Sequence, residues 1–222
     1  MAEKIFGAFY TVNKHERLNF EKIQAFNLVL DKCGKGELAV KLSEKEDEFG
    51  FHVGGHAEQH NLPVITTYNN TKSVRIVVEQ EDQRAEGLLH LTLVLPKKAY
   101  SGLNVTSQIM DIRIEGGEFD LLNLSNRKGY IEVDTTSKNV AIHSRYYPVK
   151  AIIHLIDKSL VQIGSRTGDV DITLLNAGKV NVLRKPQDLS KYICQGNPVE
   201  HGYLAEVYLN EKVEGLQTIQ IN

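Results

Sequence analysis

The chain has 222 residues, of which 41% are apolar and 24% charged, and its formal net charge at neutral pH is −2. That balance excludes intrinsic disorder and a membrane-embedded chain, and it leaves no electrostatic footprint for nucleic acid or anionic lipid. The length suffices for one large all-β domain or two small ones with a sizeable core.

The N-terminus, Met-Ala-Glu-Lys-Ile-Phe-Gly, lacks the apolar stretch of a signal peptide, and no window is apolar enough for a membrane span. The expected location is therefore the cytoplasm. Period-two alternation, the mark of a strand with one buried face, starts at Phe26-Asn27-Leu28. It returns in Leu38-Ala39-Val40, Phe49-Gly50-Phe51 and Val74-Arg75-Ile76. The Lys32-Cys33-Gly34-Lys35-Gly36 stretch between the first two reads as the turn of an antiparallel hairpin. His52, His56 and His60 stand at i, i+4 and i+8, which on a helix would be one metal-binding face. Gly54-Gly55 and the flanking Phe49, Phe51 and Val53 point instead to a strand running into a solvated loop. These histidines are weak zinc candidates, and no metal or cofactor is assigned. The run Leu89-His90-Leu91-Thr92-Leu93-Val94-Leu95 ends at Pro96, so residues 1–100 read as an N-terminal β-rich part.

Downstream an apolar–polar–apolar triplet recurs nine times. It reads Leu103-Asn104-Val105, Ile112-Arg113-Ile114, Leu122-Asn123-Leu124, Ile131-Glu132-Val133 and Val140-Ala141-Ile142. Ala151-Ile152-Ile153, Val161-Gln162-Ile163, Val170-Asp171-Ile172 and Val180-Asn181-Val182 follow. The starts are nearly evenly spaced, the longest interval separates Val140 from Ala151, and turn formers fill the gaps. Taking every second triplet as stacked sorts the middle residues. Asn104, Asn123, Ala141, Gln162 and Asn181 fall on one face, and Arg113, Glu132, Ile152 and Asp171 on the other. A sandwich has no reason to make that separation. The pattern predicts an all-β, single-stranded β-helix or β-solenoid, right-handed, with about 19–20 residues per coil. Regular coils are expected over 101–183. Residues 184–222, broken by Pro186 and Pro198 and ending in the alternating runs Leu204–Leu209 and Leu216–Ile221, are expected to close the edge as a capping hairpin. The three parts read as one continuous unit.

The stretch Leu93-Val94-Leu95-Pro96-Lys97-Lys98, the triplet Leu103-Asn104-Val105, and Ser165-Arg166-Thr167-Gly168-Asp169-Val170-Asp171-Ile172 together resemble a bacterial family of putative adhesins. Its units have the form Ser-x-x-Gly-Asp-Ile/Val-x-Ile/Val. Gln108-Ile109-Met110-Asp111-Ile112-Arg113-Ile114 and Lys128-Gly129-Tyr130-Ile131-Glu132-Val133 match in part, and the likeness covers roughly residues 26–183. The resemblance implies a β-helical fold without established catalytic residues.

No nucleophile motif, phosphate loop or dinucleotide fingerprint is present. The carboxylates Asp111, Glu132, Asp169 and Asp171 read as turn or surface groups, with Glu132 and Asp171 two coils apart and Ile152 between them. His143 and His154 should point outward on different faces. The two triplets with apolar centres, Ala141 and Ile152, are consecutive, and Tyr146-Tyr147-Pro148 lies between them in the longest interval. Ala141, Tyr146, Tyr147 and Ile152 are therefore the candidate interface residues. The expected function is a non-enzymatic scaffold for a protein partner or self-association. Carbohydrate binding or cleavage is the alternative, and neither nucleic acid nor a membrane is an expected partner. Cys33 and Cys194 read as two unrelated thiols.

Overall fold

The computed structural model describes residues 12–14, 22–43, 49–84 and 87–222. The described residues are all β apart from two short 3-10 turns, and no helix among them is long and apolar enough to cross a membrane. In chain order the first strands are β1 (Val12–Lys14), β2 (Ala25–Lys32), β3 (Gly36–Leu42), β4 (Gly50–Ala57), β5 (Val64–Asn69) and β6 (Ser73–Glu79). The next are β7 (Gly87–Leu95), β8 (Ala99–Tyr100), β9 (Gly102–Ser107), β10 (Met110–Asn126), β11 (Ile131–Ser144) and β12 (Val149–His154). The chain then continues through β13 (Ser159–Ser165), β14 (Val170–Leu175), β15 (Ala177–Arg184), β16 (Tyr192–Gly196), β17 (Tyr203–Tyr208) and β18 (Gln217–Ile221).

These strands make one open, mixed sheet of 18 strands; 17 fall into two stacks, and the short β8 pairs with β10 just after its bend. The first stack runs β5, β6, β2, β9, the second half of β10, the second half of β11, β13, β17 and β15. The second runs β1, β4, β7, β3, the first half of β10, the first half of β11, β12, β14, β18 and β16. All pairings are parallel except β1–β4, β4–β7 and β5–β6 at the N-terminal end. Through the middle the parallel pairings join a residue to its counterpart in the next but one triplet, as in Leu103↔Leu122, Ile112↔Ile131 and Val140↔Val161, except at Ala151.

Inward residues of both stacks form a single apolar core from Ile23 to Ile221. Of the eighteen apolar triplet ends, sixteen are buried, and only Val180 and Val182 are half exposed. Each buried aliphatic side chain contributes roughly 1.5–3 kcal/mol. Outward, Gln162 and Asp171 are exposed. The middle residues sort as expected, with amides on the first stack and charges on the second. Asn27, Asn104 and Asn123 are in register, and Asn104 Nδ2 donates to Asn27 Oδ1 at 3.1 Å.

The turns between stacks explain how strands as long as β10 can serve both. β10 bends at Gly116 (φ 77°) and Gly117 (φ 98°), where the register slips between Glu115 and Glu118. A side chain at either position would be strained. β11 turns one layer later without glycine. Instead, Thr135 Oγ1 donates to the Gly117 carbonyl at 2.9 Å and Ser137 Oγ to the Phe119 carbonyl at 2.9 Å.

The stretch around Gly34 is not the hairpin turn that its residues predict, because β2 and β3 belong to different stacks. They pair in parallel with β6 and β9, and with β7 and β10, respectively. Alternation reports only a buried face, not which strand lies alongside. The C-terminal runs are likewise not a hairpin: β17 and β18 lie in different stacks. They slide between the strands that precede them, so β17 separates β13 from β15 and β18 separates β14 from β16. Val180-Asn181-Val182 therefore does not lie on Val161-Gln162-Ile163. The N-terminal end mirrors this exchange, with β2 between β6 and β9 and β3 between β7 and β10. The triplet set at Ala151 is offset by two positions. Glu132 is in register with Lys150, and Ile152 faces Asp134 and Thr173. The outward row is thus Arg113, Glu132, Lys150 and Asp171, which alternates in sign and avoids direct like-charge opposition.

Candidate functional site

The most distinctive surface is the corner where the first stack leads into the second. It repeats in four consecutive layers with the same spacing, from Ser107 to Ile112, Asn126 to Ile131, Ser144 to Val149 and Ser165 to Val170. The first residue of each turn is a buried Ser or Asn. Ser107, Ser144 and Ser165 hydroxyls accept from the backbone N–H three positions on, at Met110 (3.0 Å), Tyr147 (3.2 Å) and Gly168 (3.0 Å). Asn126 serves the corner differently, its Nδ2 donating to the Met110 carbonyl at 2.6 Å. Such short polar side chains close a turn by replacing backbone partners. The layers approach closely here: a Cβ on Gly168 would lie 2.3 Å from the Tyr147 carbonyl carbon.

Because the turns are in register, the residue after each closing Ser or Asn forms a row: Gln108, Arg127, Arg145 and Arg166. Neighbouring members lie about 4.8 Å apart along the backbone. The three arginines are exposed and, among the described residues, none has a carboxylate within ion-pair distance. A cleft of about 390 Å³ runs beside this row, lined by Asp31, Thr106, Ser107, Gln108, Ser125, Asn126, Arg127, His143 and Arg145. Thr106, Ser125 and His143 occupy one register line along it. Partial desolvation holds the His143 pKa below its ordinary value, which favours neutral imidazole at neutral pH. Asp31 stands at the far end, with Thr106 Oγ1 donating to it at 3.4 Å.

Aromatic side chains occupy the other side of the corner. The Arg145 guanidinium lies 5.0 Å from the centre of the Tyr146 ring. Tyr130 and Tyr147 meet edge to face at 5.2 Å and are both exposed. Tyr146 and Tyr147 thus sit at the arginine row. Ala141 and Ile152 do not join them, since Ala141 faces out from the first stack and Ile152 from the second. The segment between them is no enlarged loop either. The turn from Ser144 to Val149 is as long as its neighbours, and the longer triplet interval reflects the offset at Ala151.

The other candidates are dispersed. His52 and His56 lie on β4, a strand, where a separation of four positions is about 13 Å. His60 is in a 3-10 turn beside Glu58, at 3.3 Å. Among the described residues no group of three or more His, Cys, Asp or Glu is arranged to hold a metal ion. His154 is paired with Asp134 at 3.0 Å on the second stack, away from His143 on the first. Asp111 accepts from the Tyr130 N–H at 2.8 Å, and Asp169 from the Leu216 N–H at 2.8 Å. Lys150, not Ile152, separates Glu132 from Asp171 and contacts Glu132 at 3.3 Å. Cys33 is buried and Cys194 exposed, both as free thiols.

The arginine row is hidden in the sequence because its members lie 18 and 21 residues apart, and no local cluster of charge marks them. The signal that could find them is Arg directly after Asn126, Ser144 and Ser165, once those residues are recognised as equivalent corners.

No protein-family model matches the sequence, and no curated protein does either. Among solved structures, the chain is similar to a putative cell adhesion protein from Clostridium sporogenes, with 12% identity, a TM-score of 0.57, and coverage of 97% of this chain and 100% of that one. Weaker likenesses link it to putative adhesins from Bacteroides fragilis (11% identity, TM-score 0.37, 97% of each chain) and Parabacteroides distasonis (8% identity, TM-score 0.34, 97% of this chain and 98% of that one). The chain shares its all-β fold with the Clostridium protein.

Proposed function

We propose that the chain is a non-enzymatic β-solenoid scaffold of adhesin-like character that acts by surface contact through the corner holding Arg127, Arg145, Tyr146 and Tyr147. The repeated parallel pairing of one coil with the next and the two-stack arrangement support the solenoid reading. The observation that carries the functional one is the corner itself, which joins arginines without an ion-pair partner among the described residues, exposed tyrosine rings and an open cleft. Among the described residues the interior is an apolar core of mostly aliphatic side chains. Aromatic and Arg side chains are the residue types that dominate recognition surfaces.

The test uses the full chain and its Tyr146→Ser/Tyr147→Ser variant. Self-association is read by sedimentation velocity, and capture is read on immobilised polysaccharides and matrix proteins. The variant should lose the contact while its melting temperature moves by only a few degrees. Turnover of a captured polymer, or a contact indifferent to both tyrosines, would remove this reading.

A further inference from the structure

We infer that the cleft beside Arg127 and Arg145 binds an acidic polysaccharide, with a carboxylate-bearing chain lying along the stacking direction. The inference rests on the surface-contact reading and names its ligand class.

The argument begins with charge. A chain with net charge −2 places three arginines in consecutive layers of one corner, and none meets a carboxylate among the described residues. Elsewhere on the outer faces opposite charges are set against each other, as in the Arg113, Glu132, Lys150 and Asp171 row. The arginine row departs from that arrangement by setting three like charges in successive layers. Guanidinium groups recognise planar oxyanions through paired N–H donors. Successive layers are about 4.8 Å apart, a step comparable to one sugar unit of an extended chain, so adjacent arginines can meet carboxylates along one polymer.

The cleft floor suits sugar hydroxyls more than a dense run of phosphates. Thr106, Ser125 and Gln108 supply neutral donors and acceptors, and Asp31 closes one end with negative charge. Tyr146, already under the Arg145 guanidinium, offers a ring at the rim. The row is short and its flank is neutral, so it lacks the extended basic surface of a nucleic-acid channel.

The experiment titrates the full chain by calorimetry with a defined oligogalacturonate, its fully methyl-esterified form, and single-stranded polyuridylate. The acidic oligomer should bind and the ester should not. Arg127→Gln/Arg145→Gln should weaken binding by about tenfold or more per lost guanidinium contact. An equal change of charge at the exposed Lys72 and Lys97 should leave binding within about twofold, as expected for screened surface charges. Circular dichroism establishes that each variant is folded. Equal binding of the ester, equal loss in the lysine control, or tighter binding of polyuridylate overturns the inference. So does no binding of the acidic oligomer. If that failure comes with an intact tyrosine-dependent contact to another surface, only the ligand class is lost. Release of reducing ends from the oligomer would instead remove the surface-contact reading.

Discussion

The exchange of layers at the C-terminal end can be tested with a single cross-link. In the structure Gln162 is in register with Tyr208, and Asn181 lies one strand beyond, beside Glu206. Neighbouring parallel strands place such residues about 4.8 Å apart, within the Cα separation of about 4.4–6.8 Å that a disulfide spans. Stacking in chain order would put Asn181 in that position and Tyr208 a full strand farther away, at about 9.6 Å. Gln162→Cys/Tyr208→Cys, in a Cys194→Ser background, should therefore oxidise readily, whereas Gln162→Cys/Asn181→Cys should not. The bond closes a loop of roughly 46 residues, for which chain entropy gives a stabilising effect of about 4 kcal/mol. Free-thiol titration and mobility on a non-reducing gel report the bond. The melting temperature with and without reductant reports its effect. Oxidation of the Gln162/Asn181 pair, with the Gln162/Tyr208 pair left reduced, would refute the layer order.

Three further predictions concern stability. Ile172→Asp places a carboxylate at a fully buried site in register with Ala151 and Ile219, and should cost more than about 4 kcal/mol, read as loss of the cooperative urea transition. A shift of a few degrees in melting temperature would contradict that placement. Deleting residues 185–222 removes β16 together with β17 and β18, the strands that lie on β13 and β14. The truncated chain should lose order in β15 and associate through the bared edges, and a monomer with an unchanged melting curve would argue against it. Cys33 is the third case. Burial first, then Asp31 and Glu79, push its thiol up from 9.0 to about 12, and its Sγ–H donates to the Val78 carbonyl at 3.0 Å. The folded state favours the protonated thiol, so its stabilising effect is complete below the unfolded pKa and is lost as pH rises from about 9 towards 12. At neutral pH a thiol reagent should modify the exposed Cys194 quickly and Cys33 only on unfolding, and a Cys33→Ala chain should show a shallower alkaline decline.

Much of the architecture is legible in the sequence. Alternation at Leu103, Ile112, Leu122, Ile131 and their successors identifies the buried faces, because a period-two pattern states directly which side chains leave water. The interval between triplets implies a two-strand repeat, and the sorting of Asn104, Asn123 and Gln162 from Arg113, Glu132 and Asp171 follows from it. The triplet at Ala151 is ambiguous in sequence because Val149-Lys150-Ala151-Ile152-Ile153 offers two overlapping frames with apolar ends. Only pairing with Ile131 and Val133 selects the first.

Tertiary structure alone decided which strands became neighbours at the ends and which side chains met at the corner. Parallel strands of similar length and pattern present nearly equivalent edges. Nothing local to Leu204–Leu209 states that it inserts before Val180-Asn181-Val182 rather than after it. The arginine row has the same origin: Arg127, Arg145 and Arg166 are separate along the chain and become one surface only when Asn126, Ser144 and Ser165 close successive turns in register. The sequence determined the faces of this protein through the burial of apolar side chains. The order of its layers and the content of its corner were decided by contacts between segments far apart in the chain.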